Sequence, residues 1–100
     1  MGLRRHVSPD ESTITIKIEG VFDLSVQSDF RVAYEQGAKA QKYIIDMSDT
    51  EYMDSAAFGM LLVFRDYVGG DDADISITHV NENIRKSFSM LQFDRMFRLD

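Results

Sequence analysis

Cysteine is absent from the 100 residues, which excludes disulfides, thiolate catalysis and the usual zinc sites together. Proline occurs once, while 44% of residues are hydrophobic and 11% aromatic, so the chain is globular rather than disordered. Cations are scarce: 11 Lys and Arg against 17 Asp and Glu leave a net charge of −6. Nucleic acid and anionic membranes both need clustered Lys and Arg to neutralise phosphate, so neither is expected as a partner, and another protein fits better. Long apolar runs are missing too, since the longest, residues 60–64, is far below a membrane span. The opening MGLRRHVSPDES has two arginines but no apolar segment behind them. His6 stands where the myristoylation pattern wants Ser or Thr. The expectation is a cytoplasmic protein without export signal or lipid anchor. A chain of 100 residues holds one core and not two, so a catalytic cleft between domains is not available.

Periodicity then places the elements. Ile14, Ile16 and Ile18 alternate with Thr13, Thr15, Lys17 and Glu19, the pattern of a half-buried strand. After Gly20, Asp23 or Ser25 can cap a helix whose stripe is Val26, Phe30, Ala33, Tyr34 and Gly37. Tyr43 to Asp46 reads as an interior strand, and such parallel strands deliver function at their C-terminal ends. Ser48 to Glu51 reads as a loop. A helix is expected from about Ser55 to Val68, stopped by Gly69 and Gly70. Ile75 and Ile77 mark another strand, and Asn81 or Asn83 caps a helix presenting Ile84, Phe88 and Leu91. The tail from Phe93 to Leu99 can end as a short strand. This alternation implies a sheet with parallel pairs and right-handed crossovers.

The stretch EYMDSAAFGMLL carries the main question. Asp54 and Ser55 both suit the position ahead of a helix, where a side-chain oxygen accepts from unpaired backbone N–H groups, and on that plain reading they are a cap and nothing more. At 100° per residue, Ala57, Met60, Phe64, Tyr67 and Val68 form a wide apolar side. Ser55, Phe58, Gly59, Leu62 and Asp66 fall opposite, with Arg65 at the edge. If the first side packs on the sheet, Phe58 and Leu62 face outward beside Ser55 as a partner patch; the alternative is a helix sandwiched and buried all round. Gly59 costs about 1 kcal/mol relative to alanine unless something approaches the backbone closely.

The run YIIDMSDTEYMDSAAFGMLLVFRDYVGG, followed by DISITHVNENIRKSFSMLQFDRMF, resembles the STAS domain of bacterial anti-sigma factor antagonists, over about residues 13–99. The resemblance implies an α/β fold: one STAS-like domain over 1–100, with a mixed four- to five-stranded sheet and three or four helices mainly on one side. Residues 1–12 would add an edge strand or arm. By the same resemblance Ser55 matches the family's phosphorylated serine and Asp54 its aspartate. Phe58 and Gly59 match a hydrophobic position and a second glycine, and Asp23 an acidic residue near the phosphosite. Ala56 and Ala57 depart from the family, which often has a second Ser or Thr and usually a Gly there. The implied function is a switch. The unmodified domain binds an anti-sigma factor with a serine-kinase-type ATPase fold, phosphorylation of Ser55 breaks the complex, and a serine phosphatase resets it. Asp23, Asp54, Phe58, Gly59, Leu62 and Arg65 are the expected partner contacts, with no cofactor, metal or small-molecule substrate.

Other readings meet obstacles. Ser55 as a nucleophile with His6 or His79 as base lacks a G-x-S-x-G elbow and a pocket. A metal site from Asp23, Asp46, Asp49 and Asp54 is conceivable. The fold with a different job, an accessory or scaffold subunit of a transport or signalling assembly, is the main alternative. Ser8-Pro9 reads as a turn, and Met47, Met53, Met60, Met90 and Met96 as core filler. Arg85, Lys86, Arg95 and Arg98 read as a solvated basic face that could orient an acidic partner.

Overall fold

Three isoleucines on one side of a six-residue strand organise the sheet. The computed structural model describes residues 2–100; Met1, the first residue of the expected N-terminal arm, lies outside them. Strand β2 (Thr13–Ile18) buries Ile14, Ile16 and Ile18 and leaves its alternate residues half-exposed. It pairs antiparallel with β1 (Leu3–Val7) and parallel with β4 (Lys42–Asp46). Strands β6 (Ile75–Thr78) and β7 (Arg98–Leu99) follow, in the order β1-β2-β4-β6-β7. The register sets Ile14, Tyr43 and Ile75 in one row and Ile16, Ile45 and Ile77 in the next, so one sheet face is continuously apolar.

The helices cover that face. Because β2, β4, β6 and β7 lie in order and run parallel, right-handed crossovers bring each intervening helix to the same side. Helix α1 (Gln27–Glu35) buries Phe30, Ala33 and Tyr34. Arg5, opposite Ile16 in the register, donates from Nε to the Ala33 carbonyl at 2.8 Å and from Nη2 to that of Gln36 at 2.9 Å. Those are orphan carbonyls at the end of α1, so the edge strand caps the helix. The helix stops at Glu35, which leaves the expected stripe member Gly37 exposed beyond its end.

Helix α2 (Ser55–Val68) ends where Gly69 adopts φ 142°, a backbone conformation a side chain would strain, and donates its N–H to Arg65. Helix α3 (Glu82–Met90) is capped by Asn81, whose side chain accepts from the Ile84 N–H at 2.9 Å. It buries Ile84 and Phe88, but Leu91, expected on that stripe, lies past the helix and is exposed.

A second, two-stranded parallel sheet stands where sequence alone gave turn and loop. Strand β3 (Gly20–Phe22) pairs with β5 (Thr50–Met53). Gly20, at φ 75°, lets the chain turn out of β2, and its N–H reaches the Asp49 carbonyl at 2.9 Å. The buried Thr50 hydroxyl donates to the Ile18 carbonyl at 2.7 Å. These bonds fasten the small sheet to the end of β2, and it in turn presents the start of α2.

Candidate functional site

The small sheet fixes where Asp23, Asp54 and Ser55 stand. Phe22 pairs with Met53 in register, so the residues that follow them, Asp23 and Asp54, leave neighbouring parallel strands side by side, with strands spaced about 4.8 Å. The Asp54 N–H donates to the Phe22 carbonyl at 3.3 Å, which holds the two exits together. Asp54 is the N-cap of α2: its Oδ1 accepts from the Ala57 N–H at 3.1 Å. Asp23 accepts from the N–H and the hydroxyl of Ser25 and so caps the 3-10 turn Leu24–Val26. Both carboxylates therefore terminate helical turns at one edge of the molecule. Ser55, the first residue of α2, follows Asp54 directly and is exposed.

Helix α2 is flanked on two sides rather than one. Phe64 packs on Phe30, Tyr34 and Tyr43, joining α2 to α1 and the sheet. On the other flank Phe58 meets Phe88 of α3 and Phe93 with ring centroids 5.3 and 5.2 Å away. Phe58 is 8% exposed, which corrects the expectation that it faces a partner. A two-sided division of the wheel hides this, because α3 and the tail fold back onto the flank that Phe58 occupies. Tyr67, expected in the core, is half out, under the ammonium of Lys39 at 5.1 Å.

Besides Tyr67, the residues of α2 left to solvent are Ser55, Gly59, Leu62, Val63 and Asp66. Leu62 is 39% exposed and Val63 60%, and Leu24 beside α1 is 59% exposed. Val63 and Leu24 carried no sequence signal, since apolar character alone does not tell which flank is covered. Arg65 is also displaced from the expected face. Its side chain is 18% exposed, and it donates from Nε to the Met96 carbonyl at 3.3 Å and from Nη2 to Asp71 at 3.0 Å. It ties the C-terminal tail to α2. Between α1 and α2 runs a groove of about 320 Å³, walled by Leu24, Met60 and Val63, with Gly59, Gln27 and Arg31 among its lining residues.

The other sequence candidates are dispersed. Among the described residues Ser55 has no hydrogen bond to a histidine: His79 Nδ1 lies 3.3 Å from Asp46 Oδ1, and His6 is in β1. Burial pushes the Asp46 carboxyl up, but the N–H and hydroxyl of Ser48 and the His79 ring outweigh it, so the group sits below the usual carboxylate range. Asp49 pairs with Lys17 at 3.1 Å. Among the described residues no three acidic or histidine side chains converge as metal ligands, so the four aspartates considered for a metal are engaged separately. Met47, Met53 and Met60 are core residues, whereas Met90 is 84% exposed. Arg98, expected on a solvated basic face, is exposed and also bonds to Ser76 and Asp74. No helix among the described residues is long and apolar enough to cross a membrane.

The STAS_2 family, described as "Mlab, STAS domain", matches residues 6–99. The chain belongs to this family. Its STAS domain is 39% identical over 93 residues to the STAS-domain containing protein PA14_20770 of Pseudomonas aeruginosa (strain UCBPP-PA14), covering 92% of each chain. Among solved structures, a sulfate transporter family protein from Wolinella succinogenes superposes with a TM-score of 0.78 at 13% identity, over 94% of this chain and 79% of that one. An anti-sigma factor antagonist from Mycobacterium paratuberculosis gives 0.77 at 14%, over 97% and 84%. The Bacillus cell fate determinant SpoIIAA in its phosphorylated form gives 0.68 at 17%, over 98% and 90%. At such identities the structural likeness establishes the STAS fold, shared by antagonists and a transporter-family protein alike.

Proposed function

We propose that this STAS domain is an anti-sigma factor antagonist whose binding is switched by phosphorylation of Ser55. The observation that carries the reading is that Ser55, exposed as the first residue of α2, directly follows the capping Asp54, which the strand register sets next to Asp23. The domain acts by binding and not by catalysis, so Ser55 needs no activation of its own; nucleotide, metal and base belong to the kinase. A phosphoserine at a helix N-terminus adds about −1.5 to −2 charge, which the free N–H groups there tolerate, so the fold survives modification. What changes is the surface. The phosphate joins Asp23 and Asp54 in an acidic cluster next to the exposed Leu24, Leu62 and Val63, and burying that cluster against a partner costs about 2–5 kcal/mol. That is enough to weaken binding roughly tens- to thousands-fold.

The test is capture from the native cell with Ser55→Ala as bait, identification of phosphoserine in the wild type by mass spectrometry, and titration of the purified partner. Wild type and Ser55→Ala are expected to bind alike and Ser55→Asp more weakly; equal affinities of all three overturn the switch. A second reading, an accessory subunit of a transport assembly, draws support from the sulfate transporter family protein among the fold neighbours. Capture of a transporter subunit in place of an anti-sigma factor would favour it.

A further inference from the structure

We infer that the groove between α1 and α2 receives an apolar side chain from a helical segment of the partner, with a carboxylate of that segment taken by Arg31. Gly59 is the first reason. It lies inside a 14-residue helix, where glycine weakens the helix, yet a Cβ built on it meets nothing within 4 Å. The fold of this chain therefore does not require the glycine. A side chain there would project into the groove, so its absence serves whatever approaches from outside. The groove's volume, about 320 Å³, leaves ample room for a large apolar side chain, and a furrow between two helices matches the way an amphipathic helix docks.

Charge selects the occupant. Arg31 is the one charged side chain among the groove's described lining residues. Its partner is Glu35 at 3.4 Å, an i,i+4 pair with both ends well exposed. Such a pair holds little, and the guanidinium can exchange it for a bidentate carboxylate of a docked segment. Ser55 and Gly59, four residues apart, are neighbours on one helix face. A phosphate on Ser55 thus stands one turn from the groove and repels an acidic occupant, which couples the groove to the modification. The inference rests on reading the Ser55 face as a partner surface.

The probe is a soluble alanine-based helical peptide with one Leu and, four residues on, one Glu, titrated into isotope-labelled protein and followed by amide chemical shifts. Shifts at Leu24, Gln27, Gly59 and Val63 are expected, weakened at least about tenfold when the peptide's Leu becomes Ala or its Glu becomes Lys. Gly59→Leu, which fills the groove, should abolish them. Should that variant misfold, Arg31→Glu serves instead, losing the Glu peptide and gaining the Lys one. Four outcomes overturn the inference: no shifts at millimolar peptide, shifts indifferent to both peptide changes, shifts confined to Met90 and Leu91, or the same amides moving on dilution of the protein alone, which means a second copy. The switch fails separately, through equal partner affinities of wild type and Ser55→Asp while peptide binding at the groove persists.

Discussion

The Phe58 ring meets Phe93 edge-on, with centroids 5.2 Å apart and planes at 89°. The first turn of α2 is thereby locked to the C-terminal part of the chain, and Phe93 continues the contact to Phe97 at 5.7 Å. Two aromatic clusters result, one on each flank of α2. The second, of Phe58, Phe88, Phe93 and Phe97, holds α3 and the tail in place.

Phe58→Ala is therefore expected to destabilise the fold by about 3–5 kcal/mol, a large share of the stability of a domain this size. Urea denaturation measures it. A variant with unchanged midpoint and weakened partner binding would instead restore Phe58 to the surface role its helical spacing suggested.

That reversal shows how far the sequence could be read. Alternation of Ile14, Ile16 and Ile18 exposes both strand and core face, because period two needs only one covered side. The bounds of α2 were legible from Asp54 and from Gly69, each a local signal. The sidedness of α2 was not, since it depends on α3 and the tail, whose positions follow from β6 and β7 pairing. Strands β3 and β5 escaped for a related reason. They are three and four residues long, and the bonds that fix them run to Ile18 and Asp49 outside the strands. Without them the register that sets Asp23 beside Asp54 could be reached only through family resemblance.

The cap that Asp54 forms and the part proposed for it in the switch are separable. Asp54→Ala removes the acceptor for the Ala57 N–H and should cost about 1 kcal/mol, whereas Asp54→Asn keeps an acceptor and should cost only a few tenths. Thermal or urea unfolding of the two variants checks the difference. If Asp54 also adds to the acidic cluster, Asp54→Asn should lessen the penalty of Ser55→Asp in partner titration.

Acid should loosen the β1–β2 turn. Hydroxyls of Ser8 and Ser12, then the Ser12 N–H, hold the Asp10 carboxyl down at about 2, from 3.8. A folded pKa below the unfolded one means stabilisation present above about pH 3.8 and lost as pH falls toward 2. Asp46, lowered through Ser48 and His79 against the effect of burial, follows the same sign. The stability gap between wild type and Asp10→Ala is expected to be full at pH 7 and to shrink through that window. Urea midpoints across the acid range measure it, and a gap that widens on acidification contradicts the assignment.

Arg65→Ala should act on the tail. Loss of its bonds to the Met96 carbonyl and Asp71 frees a part-buried acceptor, a cost of about 1–3 kcal/mol. Amide exchange should speed up in Phe97–Leu99 while the amides of β2 and β4 keep their protection. Partner affinity at the Ser55 face should stay within about twofold once folded protein is counted.

Gly59→Ala sets stability against function at one position. Alanine recovers the helix propensity that glycine forfeits, about 1 kcal/mol, and nothing within 4 Å resists the added methyl. The melting temperature should rise by about 4–8 °C for a domain of this size. If the bare backbone at Gly59 existed for folding, the variant would melt lower. If it exists for a close neighbour, the more stable protein binds that neighbour less well, and larger side chains at the same position deepen the loss in order of volume while the melting temperature stays above wild type.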